Sequence, residues 1–400
     1  MIAAASVIDP QHTQRHTPGV ATGTVIARHA TVCCRSILVA LVLCALTAAT
    51  LRAQSRIAEL NDAGWTMLQS GDADRAAKKF AEALDLQPDE PVLLFGAGAA
   101  AHLQGRSKEA AARLRRALEL APNLTQASML LGQIEYGNGE VATAIAIYEK
   151  ALTHAPNDPF LTSRLTAWRA DEDVNRGFQE RRVDRFRVMF QGHADRALAA
   201  RATELLESAF WRIGKTLGAY PSDPVIVMLY TEKQFRDVTQ APEWSGGLYD
   251  GRIRVPAAGA AQSPQLFERV LVHELTHAMI ASLAPRGIPV WLHEGLAQYF
   301  EGDDAVAARR RLNAVGAVIP LRYLEGSFGR LTAAQAAVAY DQSLVVVENI
   351  LQRRIDWNGL FAALSATSRT EYTLDNFGLR YSELESEITG GLPTAASRSR

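Results

Sequence analysis

The sequence predicts a multidomain chain in which an all-α superhelix of repeats is followed by an α+β domain. Two observations predict this fold class. Small residues and prolines recur every 34 residues between residues 57 and 165, and such a period is typical of stacked helical repeats. From residue 183 onward, short stretches with strand-like alternation come first and long helix-like stretches come last. A chain of 400 residues has room for both parts.

The composition indicates a globular protein and excludes several classes of function. Hydrophobic residues make up 48% of the chain, and its formal net charge is -1. A chain so evenly charged offers no strongly basic face to nucleic acid. All three cysteines, Cys33, Cys34 and Cys44, lie near the N-terminus. The body of the protein therefore has neither a disulfide framework nor a thiolate zinc site.

Residues 1–53 are predicted to be an N-terminal extension and a signal peptide. Arg35 precedes an uncharged run, residues 36–51, and small residues at Ala49 and Ala53 both suit cleavage. The uncharged run falls short of the roughly 20 residues that a transmembrane helix needs. We therefore expect a secreted or periplasmic protein. The alternative is a membrane anchor formed by the uncleaved segment.

The 34-residue period places the same residue types at the same positions of three units. The recurring positions are Gly64, Gly98 and Gly132; Gly71, Gly105 and Gly139; Ala76, Ala110 and Ala144; Ala83, Ala117 and Ala151; and Pro88, Pro122 and Pro156. Small residues let two antiparallel helices approach closely, and proline ends the second helix. With a large residue at Phe80, Leu114 and Tyr148, the pattern resembles the tetratricopeptide repeat over residues 57–165. The resemblance implies either a groove for a protein or peptide partner or a structural spacer.

Charged residues are dense between the repeats and the second domain. The stretch 167–188 reads AWRADEDVNRGFQERRVDRFRV and breaks the period. Acidic and basic residues are interleaved in it, which favours a solvated linker and strand edge over a site for an anionic partner. We assign the linker to residues 166–182 and expect the second domain, 183–388, to fold without the repeats. Residues 389–400 are expected to be a disordered tail.

The second domain begins with strand patterns and continues with helices. Three stretches, 184–192, 224–231 and 246–256, are predicted to be strands because they are short and either alternate or are rich in β-branched residues. Two stretches, 194–218 and 264–283, are predicted to be helices.

The motif HELTH, residues 273–277, lies inside the second of these helices. His273 and His277 are four residues apart, so both imidazoles lie on one face and can ligate a single metal ion. Glu274 is close enough to reach a water on that ion without being a ligand, as metal-assisted hydrolysis requires. The alternative is a pair of core histidines whose nitrogens bond to backbone carbonyls.

A second segment, VWLHEGLAQYFE at residues 290–301, is predicted to re-enter a helix after a turn rich in proline and glycine. Catalytic zinc takes three protein ligands, and Glu294 on this facing helix is the candidate for the third. Gly295 beside it permits close contact between helices.

Over residues 182–352 these two motifs resemble the gluzincin metallopeptidases, and most closely the peptidase MA-like family. The resemblance implies a thermolysin-like domain in which Zn²⁺ is held by His273, His277 and Glu294. It also implies that Glu274 is the general base, which takes a proton from zinc-bound water and later protonates the leaving amine.

Further roles follow from the same resemblance. Gln298 stands where relatives often have a carboxylate that orients a zinc histidine, and Glu301 is the fallback for that role. Tyr340, which is followed by Ser343 and is expected just before a long helix, matches an oxyanion stabiliser. The alternative for Tyr340 is a packing tyrosine.

The resemblance also suggests how substrate binds. The strand at 246–256 would be the edge along which an extended peptide lies. His293 and Tyr299 are expected to lie behind the metal ligands or in the core.

The sequence thus predicts an exported zinc metallopeptidase that acts on protein or peptide substrates and carries a repeat module for protein interaction. The alternative, from a different class, is a non-catalytic protein that binds zinc or peptide through a peptidase-like domain. Gln298 in place of a carboxylate keeps this alternative open.

Overall fold

The computed structural model describes residues 51–192, 195–239, 246–257, 260, 262–316, 318–366 and 370–389. The chain divides into two compact units, Met1–Ala58 and Glu59–Arg400. In the first unit only residues 51–58 are described, and they are helical. The signal peptide predicted within residues 1–53 therefore lies almost wholly outside the described residues, and so does the predicted tail after residue 389. Within the described ranges, no helix combines the length and apolar character that a membrane crossing requires.

Seven helices form the repeats as three pairs and a closing helix. α1 comprises residues 51–70, and the others are α2 (Ala73–Leu86), α3 (Pro91–Leu103), α4 (Ser107–Leu120), α5 (Thr125–Gly137), α6 (Val141–His154) and α7 (Pro159–Asn175). From α2 to α7 each helix packs on the next along the chain. The second helix of each pair ends two residues before Pro88, Pro122 or Pro156, because proline cannot continue the helical hydrogen bonding.

The first helix of each pair carries a glycine that faces a large side chain on the second helix. A methyl group at this position would lie 2.7 Å from Phe80 at Gly64, 2.9 Å from Leu114 at Gly98 and 2.3 Å from Tyr148 at Gly132. All three large side chains are fully buried. The 34-residue pattern is therefore a packing pattern, in which glycine leaves the space that the large residue fills.

A five-stranded sheet begins the second part of the chain. Its strands are β1 (Gln179–Val183), β2 (Phe186–Phe190), β3 (Val225–Tyr230), β4 (Leu248–Tyr249) and β5 (Ile253–Pro256), in the spatial order β1-β2-β3-β5-β4. The three central strands are parallel, and both outer strands are antiparallel to their neighbours. The stretch 246–256, expected to be a single edge strand, is instead two antiparallel strands, of which β4 forms one edge of the sheet and β5 lies inside it.

Strand β3 is buried on both faces. Val225, Val227 and Leu229 belong to the main core, whereas Ile226, Met228 and Tyr230 form a separate cluster on the opposite face. Side chains at the end of α7 pack against that second cluster. A strand covered on both faces reads as a continuous apolar run, which explains the sequence of β3.

Helices complete the second part and enclose the main core. They are α8 (Asp195–Leu217), α9 (Glu232–Thr239), α10 (Pro264–Leu283), α11 (Val290–Glu301), α12 (Ala305–Val315), α13 (Ala333–Leu351), α14 (Trp357–Ala366), α15 (Thr370–Asn376) and α16 (Tyr381–Thr389), with short 3₁₀ turns at Leu321–Leu324 and Phe328–Arg330. Gly295 of α11 lies against the backbone of Ser343 in α13, where a methyl group would come within 2.4 Å of the Ser343 carbonyl oxygen. This close approach fixes α11 in the core.

The segment 166–182, predicted to be a linker, is instead the second half of α7, a short turn and strand β1. The charge pattern was misleading because some of the charged residues in this segment are exposed and others are buried. Arg176 and Arg182 are exposed, but Asp171 is buried in contact with two arginines near β5. Part of the charge in this segment therefore belongs to the interior of the molecule.

The repeats also contact the second part through the turns between their paired helices. Arg286 donates to the carbonyl of Gln69 in the first pair at 3.1 Å, and Arg187 donates to that of Asn138 in the third at 2.5 Å. Gly71 packs against the backbone of Ala366. Together with the cover that α7 provides for β3, these contacts join the repeats and the second part within the compact unit Glu59–Arg400.

Candidate active site

Helix α10 presents the two histidines of the HELTH motif toward one point. His273 and His277 lie one turn apart, their Nε2 atoms are 3.0 Å apart and their rings are nearly perpendicular. Most of each side chain is withdrawn from solvent. The helical spacing that the sequence predicted therefore brings both imidazoles together.

Helix α11 supplies a carboxylate to the same point. Glu294 Oε2 lies 3.6 Å from His273 Nε2 and 3.7 Å from His277 Nε2. The point equidistant from the three corners of a triangle with sides of 3.0, 3.6 and 3.7 Å is about 2.0 Å from each, close to the ~2.0–2.2 Å of nitrogen and oxygen ligands to zinc. The three residues could therefore hold one metal ion.

A second carboxylate lies behind His273. Glu301 Oε2 is 3.5 Å from His273 Nδ1, and Arg269 lies 3.6 Å from Glu301. Burial acts to lower the pKa of His273, but Glu294 and Glu301 together outweigh it and raise that pKa to about 10. Glu301 is thus the carboxylate on the Nδ1 side of His273, and Glu294 is the one on its Nε2 side.

Gln298 makes no hydrogen bond to His273 or His277. Its amide nitrogen donates to Asp303 at 3.4 Å, and its carbonyl oxygen, although it lines the cleft, is buried without a hydrogen-bond partner among the described residues. Glu301, in the last turn of α11, is the residue whose carboxylate lies near His273 Nδ1.

Glu274 is the buried acid of the site. Its side chain lines the same cleft, which has a volume of about 530 Å³. Burial raises the pKa of Glu274 to about 7, the charges of Glu294 and Glu301 add to this effect, and His273 opposes it. A carboxyl group with a pKa near neutrality can both accept and return a proton.

The imidazoles of His277 and His293, the other two histidines of the cleft, are neutral. Burial, assisted by His273 and His293, lowers the pKa of His277 well below its usual value, and burial likewise lowers that of His293. The His293 ring lies 4.3 Å from that of His277 and lines the cleft. His293 is therefore part of the cleft wall.

Tyr340 lies inside α13 rather than before it, because the helix begins earlier, at a Thr332 capping box. Its side chain lines the cleft. Burial raises the pKa of Tyr340 to about 12, with smaller contributions from Glu294 and Glu274, so its hydroxyl is a proton-bearing donor at neutral pH. Ser343, by contrast, is buried and donates to the Ala339 carbonyl at 2.7 Å.

The edge strand forms the remaining wall of the cleft. Gly246, Gly247, Leu248 and Tyr249 line it together with Val270 of α10. Tyr299 is partly exposed, packs edge-on against Phe300 and is not among the lining residues.

Two features of this wall were not predicted from the sequence. One is the contact of Gly247 with Glu274, and the other is the burial of Arg252 and Arg254 behind it. The spacing of these arginines in the strand pattern GRIRVP was a usable signal, since residues i and i+2 share one face of a strand.

Comparisons with known proteins agree with both parts of the chain. Residues 206–381 match the model of the Peptidase MA superfamily, and residues 61–125 and 106–159 match that of the tetratricopeptide repeat. The chain therefore carries a Peptidase MA superfamily domain, a protease-like domain of a generally metal-dependent superfamily, behind a repeat module of a type associated with protein interaction.

Two solved structures of tetratricopeptide domains are similar to the repeats. One is the first tetratricopeptide domain of Spaghetti (RPAP3) bound to the HSP90 peptide SRMEEVD, with 21% identity and a TM-score of 0.29 over 30% of this chain and 97% of that one. The other is the second such domain of human RPAP3 in complex with the HSP70 peptide SGPTIEEVD, with 16% identity and a TM-score of 0.28 over 29% and 98%. No curated protein is a detectable sequence relative of this chain.

Proposed function

We propose that the protein is a zinc metallopeptidase of the HExxH gluzincin type, with a thermolysin-like arrangement of its metal site. The observation that carries the proposal is the convergence of His273 Nε2, His277 Nε2 and Glu294 Oε2 beside the buried carboxyl of Glu274. The Peptidase MA match over residues 206–381 supports the same conclusion.

The donor set favours zinc. Two imidazole nitrogens and one carboxylate oxygen are a ligand set of catalytic zinc. His273, whose ring carries a proton in the metal-free site, would give up that proton when the ion binds. All three residues line the cleft, so a metal ion held by them would be accessible to a further ligand. Bound zinc supplies a Lewis acid for a carbonyl oxygen and makes water acidic near neutral pH.

Glu274 moves the proton. Its carboxylate accepts the proton of the attacking water and then delivers it to the amine of the departing product. Burial favours this cycle because it brings the pKa of Glu274 close to neutrality. Glu301 meanwhile holds the ring of His273 in the orientation that points Nε2 at the metal.

Tyr340 stabilises the oxyanion. It lines the cleft with Glu274 and Glu294 and keeps its phenolic proton at neutral pH. A fixed donor aimed at the site where negative charge develops lowers the barrier of such reactions.

Substrate binds along β4. This strand forms one edge of the sheet, and its residues line the cleft. An extended peptide can add to such an edge by backbone hydrogen bonds. We therefore propose protein or peptide substrates, with a further protein partner for the exposed surface of the repeats, and export directed by the segment before residue 54.

The alternative is a non-catalytic protein that binds zinc or peptide. Gln298 was its main support, and that support weakens because Glu301 faces His273 instead. The test is zinc content by elemental analysis together with cleavage of a denatured protein. One zinc per chain and cleavage that a chelator abolishes support the peptidase, whereas zinc without cleavage supports the alternative.

A further inference from the structure

A buried polar network joins the repeats to the strands behind the cleft. Asp171 of α7 is almost fully buried and receives donors from both parts of the chain. Arg254 approaches its Oδ1 at 2.8 Å, and Arg252 approaches its Oδ2 at 3.1 Å. The hydroxyls of Tyr136 in α5 and Tyr230 in β3 donate to the same carboxylate at 2.8 and 3.2 Å.

Tyr136 makes three further contacts with the two arginines. Its carbonyl oxygen accepts from Arg252 at 2.6 Å, its hydroxyl accepts from Arg254 at 2.7 Å, and its ring lies 3.9 Å beneath the Arg252 guanidinium. Asp250 also pairs with Arg254 but is partly exposed. Among the described residues, Asp171 is therefore the one fully buried carboxylate that faces these arginines.

The arginines belong to the structure that forms the cleft wall. Arg254 lies in β5 and Arg252 just before it, and both are almost fully buried. We call residues 248–256 the β4–β5 hairpin. Arg254 is the register partner of Leu248, which lines the cleft. The network thus lies one strand away from the proposed substrate edge.

The same edge is also in contact with the proposed base. Gly247, which precedes β4, lies so close to Glu274 that a methyl group there would come within 2.9 Å of its carboxylate. A displacement of the hairpin would therefore change both the edge that holds substrate and the surroundings of Glu274. Buried charges require their partners to stay in place, so the repeats fix the hairpin.

We propose that Tyr136 and Asp171, two residues of the repeat module, are positioning residues of the peptidase site, which act through Arg252 and Arg254 on the β4–β5 hairpin. This inference rests on the proposed function, because the hairpin is taken to be the substrate edge. It gives the repeats a part in catalysis in addition to protein interaction.

A matched pair of variants tests the proposal. Tyr136→Phe removes a hydroxyl from the network. The control, Tyr148→Phe, removes a hydroxyl from the same pair of helices. That hydroxyl donates to the Met129 carbonyl at 3.0 Å and bonds to neither arginine of the network. Amide hydrogen exchange of residues 246–257 is measured by mass spectrometry on both full-length variants. The zinc content and the thermal stability of each variant are measured as well.

The expected result is specific to Tyr136. Exchange in residues 246–257 accelerates in Tyr136→Phe and stays at the level of the unsubstituted protein in Tyr148→Phe, although both variants lose some thermal stability. With a peptide substrate, KM rises about 10-fold in Tyr136→Phe, since one buried hydrogen bond is lost, and changes less than about twofold in the control. Equal exchange and equal KM in the two variants would overturn the proposal.

Exchange does not depend on turnover, so the proposal and the proposed function fail separately. A protein that cleaves nothing but shows the Tyr136-specific exchange overturns the peptidase assignment and keeps the role of the network in holding the hairpin. Asp171→Asn extends the test, with the exposed Asp173→Asn as its control. A faster exchange in Asp171→Asn alone supports the proposal, and exchange that is equal in these two variants contradicts it.

Discussion

Gly247 lies directly against Glu274, since a methyl group on Gly247 would come within 2.9 Å of Glu274 Oε1 and 2.8 Å of a Val270 methyl group. The backbone of the edge strand thus touches the proposed base with no side chain between them. This contact joins the element that binds substrate to the element that carries the HELTH motif.

Gly247→Ala is therefore expected to reduce turnover without removing the metal. The new methyl group must displace either β4 or Glu274, and a misplacement of about 1 Å can lower the rate by the order of 10²-fold. The atoms nearest to the new methyl group belong to Val270 and Glu274 rather than to a proposed metal ligand, so zinc content should stay at the unsubstituted level.

The control for this prediction is Gly326→Ala, because no atom lies within 4 Å of a methyl group at that position. Peptide cleavage and zinc content are measured on both variants. Full activity in Gly247→Ala would show that the contact has no role in catalysis.

Substitutions of Glu274 and Glu294 are expected to differ in their effects on zinc content and turnover. Glu274→Gln keeps the size of the side chain but removes proton acceptance, so zinc is retained while turnover falls by about 10²- to 10⁴-fold. Glu294→Ala removes one of three protein ligands, so both zinc content and turnover fall, as they should for His273→Ala and His277→Ala. An active Glu274→Gln protein with full zinc would refute the mechanism and leave the metal site standing.

Glu301 and Gln298 are expected to differ in their effect on zinc affinity. Glu301→Gln weakens the contact with His273 Nδ1, and loss of such an orienting partner typically lowers metal affinity about 10- to 100-fold. Gln298→Leu is the comparison on the same helix. It should leave zinc affinity nearly unchanged because Gln298 is hydrogen-bonded to neither histidine. Competition with a chelator measures both. A larger loss of zinc affinity in Gln298→Leu than in Glu301→Gln would assign the orienting role to Gln298 instead.

The sequence predicted the local parts of this site well. The i, i+4 spacing of His273 and His277 places them on one helical face whatever the rest of the chain does, and the repeats are visible because each glycine must face one large residue. Tyr340 was placed before its helix because the capping box at Thr332 was not recognised.

What the sequence did not predict depends on contacts between distant segments. Asp171 lies in a stretch of mixed charge, and nothing in that stretch distinguishes it from the exposed Asp173. Its burial follows from the approach of Arg252 and Arg254, more than 80 positions later in the chain. The choice between Gln298 and Glu301 likewise depended on how α11 crosses α10, which spacing alone does not fix.

Residues 183–400 are expected not to fold alone. Removal of the repeats takes away β1 and uncovers the face of β3 formed by Ile226, Met228 and Tyr230. It also leaves Arg252 and Arg254 without Asp171, and an unpaired buried charge is strongly destabilising. The comparison is a chain that begins at residue 57 and keeps the repeats. A soluble, zinc-loaded protein of residues 183–400 would contradict this prediction.

Asp171→Asn should reduce stability in a way that depends on pH. Burial acts to raise the pKa of Asp171, but Arg254, Arg252 and Tyr136 outweigh it and hold that pKa below its usual value. A carboxyl group with a lowered pKa in the folded state stabilises the protein above its unfolded pKa and loses that contribution as the pH falls. At pH 7 we expect a loss of about 3–5 kcal/mol in the free energy of unfolding, the usual effect of breaking a buried pair.

Below about pH 4, where an unfolded aspartate is protonated, the difference between Asp171→Asn and the unsubstituted protein should shrink, because the unsubstituted protein loses the same contribution. Urea denaturation at pH 7 and at pH 3 to 4 measures the difference in the free energy of unfolding between the two proteins. Asp173→Asn removes an exposed ion pair with Arg176, and such pairs contribute only about 0–1 kcal/mol, so this variant should match the unsubstituted protein at every pH. A loss in Asp171→Asn that stays constant down to pH 3 would mean that the charge of Asp171 does not hold the network together.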